Sequence, residues 1–473
     1  MHPRRETQVG ARVKFIGGVR TVTGSMHMIM NGRSKFLIDC GLFQGRRDES
    51  FEKNARFPFD PQELGTCVLS HAHIDHSGNI PNLVKHGFRG RILATEATGD
   101  LCSEMLPDSG HIQEDDIRFV NKIRHAQGLP PRSPIYTLRD AEESLRYFRG
   151  CRYRTPITIE DGVTVTFYDA GHVLGSTVPL IEIPNGAAAT RLAYVVDLGR
   201  RNIPILKDPE TPPGIDYMIL ESTYGGRIHA SVDEAEETLA RTVRATVDRG
   251  GKIIIPSFAL ERTQEVVYFL SRLIKHNRIP EIPVFVDSPL AADITEVFRR
   301  HEECFDDEML RRIRDNDDPF GTKRIKYITD VEDSIKLNGD QRSMIIISAS
   351  GMCESGRILH HLRNNIENPA NTILIVGFVA ADTLGRRIVE RQPSVKIFGE
   401  EHRLKAEVVI INAFSAHADQ REILGYVMPL KGRLKKIFVV HGEESQSDTL
   451  SKLLTAKGFS VRIPFPEEEI ELA

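Results

Sequence analysis

The chain has 473 residues, 40% hydrophobic and 27% charged, the balance of a globular protein of two or three domains rather than a disordered, collagen-like or coiled-coil chain. Lys+Arg of 62 against Asp+Glu of 66 gives a net charge of −4, so no global positive field holds nucleic acid and any such binding must be local. Six cysteines (Cys40, Cys67, Cys102, Cys151, Cys304, Cys353) form no CxxC pair, which argues against a disulfide framework and fits a reducing, cytoplasmic setting. No apolar h-region opens the chain, and the longest apolar runs, such as ILIVGFVAA at 373–381, are too short to span a membrane.

In chain order, the first half alternates short β-rich runs with loops. ARVKFIGG (11–18) reads as a strand, and MHMIM and KFLIDC read as a hairpin with Asn31-Gly32 in the turn. CVLS (67–70) is a short buried strand, and a helix starts between Asn79 and His86. Residues 96–150 read as helical, including DAEESLRYFRG. ITIE, VTVTFYDA, TVPLIEI and RLAYVVDLG are further strands, the last two paired as a hairpin. From about 216 the rhythm changes to strand then helix. YMILES precedes a helix opening at Ser231, with Glu234 completing a capping box. KIIIPSFA, VFVDSP, MIIISAS and NTILIVGF alternate with helices near 261–277, 291–304, 357–363 and over LGRRIVER. Apolar runs alternating with amphipathic helices indicate a parallel sheet covered on both faces. The β-rich rhythm returns with VKIFG, AEVVIINAF and KKIFVVHG. The chain is therefore read as a host domain, 1–215 and 405–473, interrupted by an inserted α/β domain, 216–404. No GxGxxG or P-loop follows any strand, so no nucleotide cofactor is expected.

The informative segment is SHAHIDHSGN, which gives His71-x-His73-x-Asp75-His76 directly after the strand CVLS. In an extended loop, His71 and His73 point the same way, and Asp75 and His76 turn toward a neighbouring position. Imidazole with carboxylate is the ligand set of zinc and related divalent metals at hydrolytic sites. Other ligand types recur at strand ends: Asp39 after FLI, His172 after TVTFYDAG, Asp197 after LAYVV, His417 in AFSAHAD and His441 after KKIFVV. Polar ligands placed after several apolar strands make a site at one rim of a sheet.

These residues resemble the metallo-β-lactamase superfamily. Glu221, His417, His441 and the inserted domain resemble its β-CASP branch, as do DSGHIQE (108–114), ESTYG (221–225), PSFALERTQE (256–265), DSPLA (287–291), SGMCESGR (350–357) and TLGRR (383–387). Within the branch the chain most resembles the nuclease subunit of the cleavage and polyadenylation specificity factor and its short prokaryotic RNA-processing relatives. Glu261 departs from the pattern, which commonly has glycine there.

The resemblance implies an α/β fold: a four-layer αβ/βα sandwich with an inserted parallel-sheet β-CASP domain. It implies two Zn2+ per chain, with Mn2+ or Fe also compatible. One metal is expected on His71, His73, His172 and Asp197, and the other on Asp75, His76, Asp197 and His441. Asp39 is expected to orient a ligating histidine. His441 favours RNA over DNA within the branch. The implied activity is metal-dependent hydrolysis of single-stranded RNA, endonucleolytic, leaving 5′-phosphate and 3′-hydroxyl ends. His417 serves as general acid, kept protonated by Glu221, and Asp75 counts among the catalytic groups. RNA contacts are expected from Ser350, Gly351, Ser355, Gly356 and Arg357, ahead of a short helix, and from Arg386 and Arg387. A homodimer is compatible with the resemblance. Competing readings are a DNA nuclease, a 5′-exoribonuclease, a small-molecule metallo-hydrolase and an inactive RNA-binding scaffold.

Overall fold

The fold is given by a computed structural model that describes residues 10–472 apart from 33, 187, 322, 323, 378, 381, 382, 412 and 413. Arg33, Phe378, Ala381, Asn412 and Ala413, which fall in segments read above, lie outside the described residues. The chain divides into two compact units. One comprises 1–201, 208–228 and 417–473, the other 202–207 and 229–416.

The strands of the first unit's leading part are β1 (Arg12–Gly17), β2 (Met26–Asn31), β3 (Ser34–Ile38), β4 (Thr66–Val68), β5 (Arg91–Thr95), β6 (Phe148–Cys151), β7 (Ile157–Thr158), β8 (Thr164–Asp169), β9 (Thr177–Asn185), β10 (Ala188–Val195) and β11 (Tyr217–Glu221). The second unit holds β12 (Ile253–Pro256), β13 (Val284–Val286), β14 (Ile325–Tyr327), β15 (Ile345–Ser348), β16 (Thr372–Val376), β17 (Ser394–Ile397), β18 (Glu400–Arg403) and β19 (Glu407–Ile411). The chain then returns to the first unit with β20 (Lys436–Val440), β21 (Val461–Arg462) and β22 (Glu468–Glu471).

The first unit contains two seven-stranded sheets, β22-β1-β2-β3-β4-β5-β6 and β21-β20-β11-β10-β9-β8-β7. Their inner faces share one core, in which Val13, Phe15, Phe36 and Val68 of one sheet pack with Phe167, Leu192, Tyr194, Ile219 and Phe438 of the other. Alternation along β10 shows the pleat at work. Leu192 and Tyr194 enter that inner core, whereas Ala193 and Val195 join an outer core with Ile423, Val427, Leu450 and Leu454. Those four residues belong to helices Gln420–Val427 and Glu444–Ala456. On the first sheet's outer side, helix Glu96–Ala126 packs on β5 and β6. The result is four layers, α-β-β-α.

The second unit is built on a six-stranded sheet, β14-β13-β15-β12-β16-β19, in which every pair is parallel. Its strands are almost wholly apolar, as burial on both faces demands. Ile254, Ile346, Ile373 and Val408 meet Ile358 and Leu362 of helix Ile358–Asn365. All six cysteines are free and buried. Among the described residues, no helix is long and apolar enough to cross a membrane.

Several segments differ from the sequence reading. YMILE pairs with β10 and β20 as β11, inside the first unit. Glu407–Ile411 pairs with β16 and belongs to the second unit, and VKIFG forms a two-stranded ribbon with β18. A short apolar run fits the centre of either parallel sheet, and pairing alone settles the matter. Phe148–Cys151 is a strand on β5 rather than part of a helical stretch. Asn31 pairs with Ser34, so the hairpin turn begins one residue later than read, at Gly32, with φ 59°.

Candidate metal centre

In the first unit, β3, β4, β8, β10, β11 and β20 all run toward one rim. β3 is parallel to β4, and β10, β11 and β20 are mutually parallel. β8 and β10 are both antiparallel to β9. Residues that follow these strands therefore converge. Three of them, Asp39, Asp197 and His441, have φ of 59°, 60° and 47°, a left-handed conformation uncommon outside glycine, though asparagine, aspartate and histidine adopt it more often than other residues. Strain of this kind persists where the surrounding structure holds it and clusters at functional sites.

The loop after β4 carries His71 and His73, the latter at φ −53° and ψ 143°, and then turns into the one-turn helix Ile74–Ser77, which carries Asp75 and His76. Its backbone is fastened to the chain after β3. Cys40 N donates to His76 O at 2.8 Å, and Leu42 N donates to Ile74 O at 2.9 Å. Gly41 makes this approach possible, because a Cβ there would lie 1.6 Å from the Asp75 carbonyl oxygen.

Two clusters of donor atoms result. His71, His73, His172 and Asp197 form the first, and Asp75, His76 and His441 the second, and a third group of Asp197, Glu221 and His441 links them. In the first, His71 Nε2 lies 3.1 Å and His172 Nε2 3.2 Å from His73 Nδ1. Asp197 Oδ2 lies 3.4 Å from His71 Nε2 and 3.3 Å from His172 Nε2. In the second, His76 Nε2 and His441 Nε2 stand 3.3 Å apart, and His441 Nε2 is 3.5 Å from Asp75 Oδ2. The same Asp197 Oδ2 is 3.5 Å from His76 Nε2. Asp197 thus stands between the clusters.

The donor set fits a cation. Burial, with the charge of His76, drives the His71 pKa down to about 4, and burial, with His71 and His172, takes His73 well below its usual value. Their ring nitrogens are therefore neutral donors at pH 7. Burial opposes the ionised form of Asp197, but His441 and the other surrounding histidines outweigh it and hold the carboxyl well below its usual range. Its Oδ1 receives no hydrogen bond among the described residues, although His441 Nδ1 is 3.1 Å away. A buried carboxylate with an oxygen free of hydrogen bonds, facing the neutral His71 and His73 and further histidines whose positive charge a metal ion can replace, suits a cation. Nitrogen and oxygen donors of this kind suit zinc and its divalent neighbours.

Asp39 accepts His76 Nδ1–H at 2.7 Å, fixing which nitrogen of that ring faces the cluster. It is itself held by Ser70 N at 2.7 Å, Ser70 Oγ at 2.9 Å and Tyr194 OH at 2.8 Å. Ser25 Oγ lies 2.7 Å from the Tyr194 hydroxyl, and Ser70 Oγ lies 3.0 Å from His71 Nδ1. The sequence reading does not include Ser25, Ser70 or Tyr194. The polar hydroxyl of Tyr194 at an inward position of β10 is the one signal that pointed to a buried partner.

His417 precedes helix Gln420–Val427, and its Nδ1 is 3.3 Å from Glu221 Oε2 and 4.0 Å from Asp197 Oδ1. Glu221 is fully buried, and its Oε1 accepts Leu198 N. Burial pulls the His417 pKa down, but the Asp197 and Glu221 carboxylates outweigh it and raise it to about 9. These carboxylates favour the protonated form of His417.

The residues expected to contact RNA lie in the second unit. Arg357 is committed within it: its guanidinium donates to Asp287 Oδ1 at 2.7 Å and to the carbonyls of Ile328 and Thr329. Ser350 Oγ accepts Glu354 N at 3.2 Å, and Gly356 has φ 81°. Arg386 pairs with Glu390 on a half-exposed helix face, and Arg387 is exposed.

Comparison with known proteins agrees with this geometry. Residues 20–188 match the metallo-β-lactamase superfamily, 263–388 the β-CASP domain, and 401–464 the Zn-dependent metallo-hydrolase RNA specificity domain. The chain is 34% identical to Ribonuclease TTHA0252 of Thermus thermophilus, over 96% of this chain and 98% of that protein. It belongs to the β-CASP branch of the metallo-β-lactamase superfamily. Transcription termination factor FttA of Methanocaldococcus jannaschii is 29% identical over 93% of this chain and 69% of that protein. A solved protein of unknown function from Enterococcus faecalis shares the fold, with a TM-score of 0.56 at 14% identity over 98% of this chain and 100% of that one. Membership of the β-CASP branch also gives Glu261 a context. It has φ 65° and ψ −57° ahead of helix Arg262–Lys275, backbone that glycine adopts without steric cost.

Proposed function

We propose that this chain is a zinc-dependent ribonuclease that cuts single-stranded RNA internally and leaves 5′-phosphate and 3′-hydroxyl ends. The observation that carries the reading is the His417–Glu221 pair beside Asp197, a proton donor next to a cation-shaped cluster. The similarity to Ribonuclease TTHA0252 and the match to the RNA specificity domain over 401–464 support RNA as substrate.

His71, His73, His172 and Asp197 would hold one metal, and Asp75, His76, Asp197 and His441 the second. A divalent pair supplies, when bound, a nucleophilic water near neutral pH and stabilisation of charge on the phosphoryl oxygens. The protein's own groups do the rest. Asp39 and Ser70 fix the rings of His76 and His71. His417 delivers its proton to the leaving ribose oxygen, and Glu221 keeps that proton in place until it is needed. Ser350, Gly351, Ser355 and Gly356, with the exposed Arg386 and Arg387, are proposed to contact the RNA backbone. Since the net charge is −4, binding is expected to be modest and to weaken with salt.

The test is digestion of a 5′-labelled single-stranded RNA and its DNA twin by the zinc-loaded chain, with His417→Ala alongside. Internal RNA fragments that fall by ~10^2–10^4-fold in the variant, while its metal content stays unchanged, are the expected outcome. Labelled mononucleotide alone moves the reading to a 5′-exoribonuclease. Equal cutting of both strands moves it to a nuclease indifferent to the sugar. Full activity in His417→Ala removes the general-acid assignment.

A further inference from the structure

We infer that Phe258 of the second unit is a stacking platform for a nucleobase of single-stranded RNA, an inference that rests on the ribonuclease reading. Phe258 leaves the C-terminal end of β12, at the rim where open parallel sheets bind their ligands. Its side chain is 41% exposed. Among the described residues it is the exposed aromatic in the loops that leave the six-stranded sheet, since Phe414 after β19 is buried.

The exposed ring sits on a fixed backbone. Ser257 N donates to Ser348 O at 3.0 Å, while Thr263 N and Thr263 Oγ1 donate to Phe258 O at 3.2 and 2.7 Å. One side of the ring rests on Gly351 in the loop after β15, where a Cβ would lie 2.9 Å from ring carbons Cδ2 and Cε2. Glycine at 351 therefore seats the ring, and the residue stays 41% exposed. A rigid aromatic held this way gives up little conformational entropy when a base covers it.

Two arginines of this rim are engaged within the unit. Arg262 pairs with Glu265 and Arg357 with Asp287, both inside the unit. What the ring adds is an aromatic face seated on the backbone of Gly351. That face suits stacking, which tolerates any base because every base presents a π face. A lone ring is too small an apolar surface for a stable protein interface.

The test uses the metal-loaded full chain in a His417→Ala background, so that RNA survives the measurement. Fluorescence anisotropy compares a short oligouridylate with the same strand carrying abasic residues. The background chain should prefer the base-bearing strand by ~10-fold. Adding Phe258→Ala or Phe258→Leu should erase that preference and leave abasic binding unchanged, whereas Phe258→Tyr should keep it. Retention of the preference by Phe258→Ala and Phe258→Leu overturns the platform and leaves the ribonuclease reading standing. Equal binding of both strands by the background chain also overturns the platform. Failure of that chain to bind either strand removes the ribonuclease reading together with the platform.

Discussion

Two buried aspartates, each at the end of an apolar strand, divide the molecule's chemistry between them. Asp197 follows β10 in the first unit, and Asp287 follows β13 in the second. Asp287 is balanced by its own surroundings. Arg357 reaches Oδ1 at 2.7 Å, His361 Nε2 lies 2.6 Å from Oδ2, and Ser334 Oγ donates to the same oxygen. His361 is in turn satisfied by Asn338 at 3.0 Å. Asp197 has no arginine or lysine partner among the described residues; histidines surround it, and its Oδ1 accepts no hydrogen bond. The lesson is that a buried carboxylate at a strand end does not by itself mark a metal site. What marks it is a negative charge that the chain's permanent cations leave unbalanced, beside neutral nitrogen donors.

The largest expected effect tests the unbalanced half. Asp197→Asn should empty both clusters and lower turnover by more than ~10^3-fold. Elemental analysis beside an RNA cleavage assay checks it, and retention of two metals per chain would show that Asp197 does not join them.

The balanced half predicts a different loss. Arg357→Met leaves the buried Asp287 without its permanent cation, held by His361 and Ser334 alone, and should cost about 3 kcal/mol of stability, read as a lower denaturant midpoint with metal content unchanged. If the variant keeps its stability but loses RNA affinity, Arg357 is an RNA contact and not an internal counter-ion.

Between these lies the proton on His417. Its pKa near 9 reflects burial, which lowers it, outweighed by Asp197 and Glu221. A general acid works while protonated, so the rate should fall as pH rises, along a limb no higher than about pH 9. Glu221→Gln removes a charge that raises this pKa, so the limb should move toward acid, and each unit of movement is about tenfold in rate above it. A uniform loss at every pH, with the limb unmoved, would assign Glu221 to structure alone.

The smallest effect concerns strain. At the metal rim, Asp39, Asp197 and His441 carry positive φ where their side chains are used, whereas Glu261 carries it in the other unit. Glu261→Gly and Glu261→Ala remove the same carboxylate, and only glycine accepts the backbone. The glycine variant should therefore be the more stable by ~1 kcal/mol, as compared by denaturant midpoints. Equal stability of the two would mean that the backbone relaxes without cost.

Much of the centre was legible because its pattern is local. His71-x-His73-x-Asp75-His76 follows a strand, and Asp39, Asp197 and His441 each end an apolar run, so periodicity and position sufficed to collect them. Ser25, Ser70 and Tyr194 were not legible. A hydroxyl in a strand looks like any partly buried polar residue, and its bond to Asp39 depends on how β2, β3 and β10 are placed. Arg357 shows the converse. Its place ahead of a helix and beside glycine suggested a phosphate contact, but Asp287, 70 residues away in the chain, occupies it.

The amino-acid sequence by itself determined the α/β character, the parallel sheet of the insertion and the set of polar residues placed after apolar strands, because alternation, apolar runs and residue spacing are properties of the chain read locally; the four-layer plan and the ligand set were expected from the family resemblance. Only the tertiary structure decided the rest. It assigned β11 and β19 to their sheets, joined Ser70 and Tyr194 to Asp39 behind His76, and turned Arg357 inward. The physical reason is that strand pairing and charge balance are sums over distant partners, and a buried group's role follows from which of its neighbours complete it.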